Sequence, residues 1–157
     1  MTSQVAILMG SASDWHVMKK AADILDEFKI TYEAKVLSAH RTPKETVQYV
    51  EESEKNGVKV FIAGAGMSAA LPGVLSSATT LPVIGVPIES GPLKGQDALY
   101  AVAQMPPGIS VACMAINGAK NAGIYAAQIL SVSDPEIAER VKKNREEAKE
   151  KVLNTVL

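Results

Sequence analysis

Five times along this chain, a short run rich in branched apolar residues gives way to a stretch whose apolar residues recur at helical spacing. Few folds accept that rhythm. Strands that are apolar throughout must be covered on both faces, and strands that alternate with helices pair in parallel. Strands are expected at Val5 to Met9, Tyr32 to Leu37, Val58 to Ala63, Pro82 to Val86 and Ser110 to Ile116. Between the first two, Val17, Ala21, Ile24, Leu25 and Phe28 share one helical face, whereas His16, Lys20, Asp23 and Glu27 share another. That segment is an amphipathic helix.

The second helix carries its own start signal: Thr42 as N-cap, Pro43 at the first helical position and Glu45 closing a capping box, with Gly57 as the stop. Further helices are expected from about Leu71 to Thr79, Gln96 to Gln104 and Lys120 to Leu130, set off by Gly and Pro. The fold class is therefore α/β, a three-layer, doubly wound parallel sheet of the flavodoxin-like kind, which binds ligands beyond the carboxyl ends of its strands. Asp134 and Pro135 open one more helix, charged except for a thin stripe of Ile137, Val141, Ala148, Val152 and Val156. So narrow a stripe suits docking on a neighbour and leans towards an oligomer. No repeat, low-complexity tract or linker breaks the chain, so residues 1–157 are expected to form one domain, with a core over 4–131 and an appended helix over 134–156.

Composition narrows the function. A chain of 157 residues that is 47% hydrophobic can bury a two-faced core, and a net charge of -1 offers no basic field to nucleic acid or an anionic membrane. No apolar segment approaches the roughly 20 residues that cross a bilayer, and no leader precedes Val5, so the expected location is the cytoplasm. The single cysteine, Cys113, excludes an internal disulfide and reads as a small buried hydrophobe. The 2 histidines are far apart and lack clustered carboxylates, which matches no standard zinc or iron spacing; no metal is expected. His16, on the polar stripe of its helix, is assigned no role.

Three loops at strand ends carry groups suited to chemistry. The first, Gly10-Ser11-Ala12-Ser13-Asp14, runs straight into a helix, where free backbone N–H groups favour an anion; Ser11 can donate to phosphate and Asp14 can accept from a ribose hydroxyl. Helix capping by Ser13 or Asp14 would use the same residues. The second, Ser38-Ala39-His40-Arg41-Thr42-Pro43, adds a hydroxyl at Ser38, a planar phosphate fork at Arg41 and a proton-exchanging group at His40. A surface ion pair for Arg41 and a satisfied loop histidine are the plainer readings. The third, Gly64-Ala65-Gly66-Met67-Ser68-Ala69-Ala70-Leu71-Pro72-Gly73, lets backbone approach a planar ligand or a packed helix, and it lacks the Gly-Lys-Ser/Thr ending of a nucleoside-triphosphate loop.

Met9 to Trp15, Ser38 to Pro43, Pro82 to Pro87 and Gln104-Met105-Pro106 together resemble the PurE family, in order and at matching separations from Val5 to about Leu130. The resemblance implies an isomerase of purine biosynthesis that converts N5-carboxyaminoimidazole ribonucleotide to 4-carboxy-5-aminoimidazole ribonucleotide without cofactor. It also implies homo-octamers with sites at subunit interfaces. Carried over by position, His40 matches the catalytic histidine, Ser11, Ser38 and Arg41 match phosphate-holding residues, and Asp14 matches the ribose ligand. Gly64, Ala65, Gly66, Met67 and Leu71, with Gln104-Met105-Pro106, match stretches that enclose the ring. One departure stands out: bacterial mutases usually carry Gly-Gly-Ala-Ala-His-Leu-Pro, where this chain has Gly66-Met67-Ser68-Ala69-Ala70-Leu71-Pro72, so Ala70 replaces a second histidine.

The rival within the family is the class that carboxylates aminoimidazole ribonucleotide directly with carbon dioxide and typically has lysine after the catalytic histidine, a place held here by Arg41. A paralogue acting on another ring is a further reading. A noncatalytic flavin or nucleotide module on the same fold is the alternative of another class, and it would leave His40 idle.

Overall fold

The computed structural model describes residues 2–156. Five parallel strands, β1 (Val5–Met9), β2 (Tyr32–Val36), β3 (Val60–Gly66), β4 (Val83–Ile88) and β5 (Ala112–Cys113), form one sheet in the order β2-β1-β3-β4-β5. This is the flavodoxin-like order. The chain steps from β1 outward to β2, then crosses back past β1 to β3, so the loops leaving β1, β2 and β3 diverge around a crevice. Met9, the last residue of β1, sits in register with Val36 of β2 and Gly64 of β3.

Alternation along β1 explains the layers. Val5, Ile7 and Met9 pack with α1 (Trp15–Glu27), α5 (Ala119–Ser131) and α6 (Pro135–Leu153), while Ala6 and Leu8 pack with α2 (Pro43–Lys55), α3 (Leu71–Ala78) and α4 (Gln96–Ala103). Every one of these strand residues is buried. Burying a side chain such as Ile7 or Leu8 contributes about 1.5–3 kcal/mol. The expected α1 face is the buried one: Val17, Ala21, Ile24, Leu25 and Phe28 all enter the core. Helices α1 and α5 meet almost backbone to backbone at Gly123, where an added Cβ would lie 2.8 Å from Ala21 O and 3.1 Å from Ile24 Cβ.

Three elements differ most from expectation. β3 begins at Val60 and runs on to Gly66, because its ladder with β1 reaches Gly64 and its ladder with β4 carries on through Ala65 and Gly66. β5 shrinks to two residues: as an edge strand it pairs only with β4, and the chain turns away at Asn117, whose φ is +58°. Cys113 on that edge is half-buried rather than fully buried, and its thiol pKa is raised by desolvation. Helix α6 is capped by Asp134 Oδ1, which accepts from Glu136 N and Ile137 N at 3.0 and 3.2 Å. Its first half docks on this chain: Ile137 and Val141 are buried, and Arg140 Nη1 donates to Phe28 O at 3.0 Å. Its second half touches little. Ala148 and Val152 are exposed, and the helix ends at Leu153, before Val156. No helix among the described residues is long and apolar enough to cross a membrane.

Candidate active site

At the carboxyl end of the sheet, above β1, lies a cleft of about 500 Å³. Its lining includes Ser11, Asp14, Ser38, His40, Arg41, Ala65, Gly66, Met67 and Leu71, so residues from three separate loops meet in one place. The sheet order dictates this meeting: β2 and β3 flank β1, and their loops rise on either side of it.

The first wall is built from the loops after β1 and β2. Ser11 Oγ accepts from Ser13 Oγ at 2.9 Å and from Ser13 N at 3.3 Å, which winds residues Ala12–Asp14 into a 3-10 turn leading into α1. Asp14 makes no capping hydrogen bond on α1, and it lines the cleft. Desolvation raises its pKa above the ordinary 3.8, against opposing pulls from the Ser11 backbone N–H, His16 and Arg41. Arg41 fastens this wall together. Its Nη2 donates to Gly10 O at 2.6 Å and its Nε donates to Ser38 Oγ at 3.2 Å, joining the two loops through one guanidinium. A planar fork held at two points offers its remaining N–H groups to an anion in a set orientation.

Thr42 is the N-cap of α2 by position, yet its hydroxyl does not close the expected capping box. Instead Thr42 Oγ1 accepts from Ser38 N at 2.9 Å and donates to Ser38 O at 3.1 Å. The hydroxyl that would have capped the helix is used to pin the tight turn on which His40 rides. His40 is exposed and makes no side-chain hydrogen bond with the described residues, so its ring is available to a bound molecule.

The opposite wall comes from the loops after β3 and β4. Ala69 N donates to Met67 O at 2.8 Å and Ala70 N to Ser68 O at 2.7 Å, coiling the segment that precedes α3. Leu71 is buried beneath it, and Ala70 lines the cleft, which leaves His40 as the only imidazole in the lining. Gly64 does not reach the cleft. It lies within β3, where an added Cβ would run into the Met18 thioether and Ile88, so this glycine serves packing between sheet and α1. Gln104-Met105-Pro106 is also outside the lining; the Met105 side chain rests on α3, its Cε 3.1 Å from where a Cβ on Gly73 would sit.

Ser90 is the lining residue that sequence reading missed. It follows β4, at the same edge as the other loops, and its Cβ is 3.0 Å from where a Cβ on Gly66 would stand. Its position one strand further along the same edge was the available signal. A larger hollow of about 850 Å³ lies at the opposite end of β4 and β5, but its lining holds Glu54, hydroxyls and Tyr125 with no cation and no imidazole. Chemistry, not size, therefore favours the smaller cleft.

A parallel α/β sheet with an anion fork, several serine hydroxyls, a carboxylate and one free imidazole at its switch point suits an enzyme that acts on a nucleotide. The family model for AIR carboxylase matches residues 4–151, and the chain belongs to that family, the PurE family. Its similarity extends to N5-carboxyaminoimidazole ribonucleotide mutases of Saccharolobus solfataricus (51% identical, 98% of each chain) and Bacillus subtilis (51%, 99% of this chain and 97% of the other). The mutase of Pyrococcus abyssi is 54% identical over 93% of this chain and 84% of its own. Among solved structures, PurE of Treponema denticola superposes with a TM-score of 0.87 at 37% identity, covering 95% of this chain and 93% of that one.

Proposed function

We propose that this chain is an N5-carboxyaminoimidazole ribonucleotide mutase of purine biosynthesis, with His40 as its proton carrier. One observation carries the site assignment: the single imidazole of the cleft shares it with an arginine fork and hydroxyls that suit the phosphate of the same ribonucleotide. In this reading Ser11, Ser38 and Arg41 hold the phosphate and Asp14 accepts from the ribose diol. Ala65, Gly66, Met67 and Leu71 enclose the ring.

The reaction needs no net reagent. The carbamate N–C bond breaks with its electron pair going to nitrogen, which takes a proton from His40. The ring carbon of the resulting enamine attacks the released carbon dioxide, and the proton on that carbon returns to His40. Holding both fragments in place removes roughly 7–11 kcal/mol of barrier in favourable cases, more than a lone proton shuttle supplies. The enclosing walls thus matter as much as the imidazole.

Several exposed apolar side chains, among them Val36 at 48%, Tyr100 at 63% and Val132 at 88%, call for cover. We take them as contacts of a homo-octamer that completes its sites at subunit interfaces, each subunit a single domain working in the cytoplasm. The decisive assay offers the purified protein each of two substrates. Turnover from the carbamate without added carbon dioxide supports the mutase; turnover only from aminoimidazole ribonucleotide plus dissolved carbon dioxide would replace it with the direct carboxylase.

A further inference from the structure

Met67 breaks a local rule. Its φ is +53°, a left-handed backbone that glycine or asparagine adopts with less strain, and its apolar side chain is 52% exposed at the rim of the cleft. Folding alone would favour a different residue there.

The surroundings indicate what the methionine does. The loops after β3 and β4 abut along two adjacent glycine contacts. At Gly66, an added Cβ would come within 3.2 Å of Ile88 O as well as meeting Ser90. At Gly91, whose own φ is +67°, an added Cβ would lie 3.6 Å from Met67 Cγ and 3.7 Å from its Sδ and Cε. From Cγ to Cε, then, the Met67 side chain lies over the face of Gly91 from which a side chain would project. Met67 lines the cleft, and the bare Gly91 leaves room for its side chain there. A thioether chain with three rotatable bonds can follow the outline of a flat ring without a fixed shape of its own.

From this geometry we infer that Met67 is the cap of the active site, a positioning residue that shuts water out and carbon dioxide in during carboxylate transfer. The inference rests on the mutase reading. Between breakage of the N–C bond and formation of the C–C bond, the carbon dioxide is bound to nothing, and its only alternatives are attack by the ring carbon or escape to solvent. Escape leaves free aminoimidazole ribonucleotide and, after hydration, bicarbonate, so the two fates are chemically distinct. An apolar cap at the mouth favours recapture without touching the reacting proton.

The test compares wild type, Met67→Gly and Met67→Leu with a substrate labelled with carbon-13 in the carbamate, in buffer containing unlabelled carbon dioxide. Glycine suits the backbone at this position, so Met67→Gly is expected to fold with an unchanged or higher melting temperature. It should lose about 10-fold or more in kcat/KM, the scale on which loosened positioning is felt. Above the no-enzyme background, it should also send several-fold more label to bicarbonate and retain less in the product. Met67→Leu should restore both rate and label retention. Wild-type retention of label in Met67→Gly overturns the inference, even if its rate falls, because a loop defect alone does not open the mouth. If wild type itself forms no 4-carboxy product from the carbamate, the mutase reading fails and the cap with it.

Discussion

Replacing Arg41 by alanine isolates the anion grip from the chemistry. In the structure its guanidinium spends one N–H on Ser38 Oγ and one on Gly10 O, which leaves three of its five donors for a ligand. A phosphate seated on the fork would take two of them. Because the residue is exposed and water competes, we count the worth of a single charge-assisted bond, about 1.5–3 kcal/mol. That converts to a loss of about 10- to 150-fold in affinity. The loss should appear in Kd for aminoimidazole ribonucleotide by calorimetry, and Arg41→Lys, which keeps the charge and loses the fork, should fall between alanine and wild type. If both variants bind as tightly as wild type, the phosphate is held elsewhere and the orientation of the substrate in this cleft is wrong.

Three further outcomes follow from other features. His40→Asn should lower turnover by about 100- to 10,000-fold while ribonucleotide binding by calorimetry stays near wild type; surviving turnover would remove His40 as proton carrier. Asp14 has a pKa raised by desolvation, so the folded state holds its proton more tightly than the unfolded chain, and stability from this group falls as pH rises from the ordinary 3.8 through the folded value. Asp14→Asn should therefore melt at a slightly higher temperature than wild type at pH 7, the gain vanishing below pH 3.8, while ribonucleotide affinity drops; an equal or lower melting temperature at pH 7 would contradict the sign. Gly123→Ala should destabilise by about 1–3 kcal/mol in urea, since its methyl group meets Ala21 O and Ile24 where α1 and α5 touch; an unchanged midpoint would mean that these helices can separate freely.

Much of the fold was readable because buried parallel strands and amphipathic helices write their periods directly into the chain. Val5–Met9 emerged with the expected limits, since all five side chains are buried and Gly10 ends the run. β5 was overestimated because the ladder length of an edge strand depends on its neighbour, and only Ile84 and Gly85 pair with it. The cleft residues after β1 and β2 were legible from residue chemistry at loop positions. Gly64 and Gly66 were not separable: same residue, two positions apart, yet one is crowded by Met18 and the other by the Ser90 loop. Thr42 misled for a related reason, because a hydroxyl suited to capping suits a turn equally well, and the choice is made by Ser38.

Beneath the cleft, β1 and the first five residues of β3 are buried, and nearly everything a ligand could touch is carried by the loops above them. Such a division lets the rim be rewritten while the foundation stays put. A position such as Ala70 can trade its side chain at little cost to the fold, so substrate preference in this architecture is free to drift over a scaffold that barely registers the change.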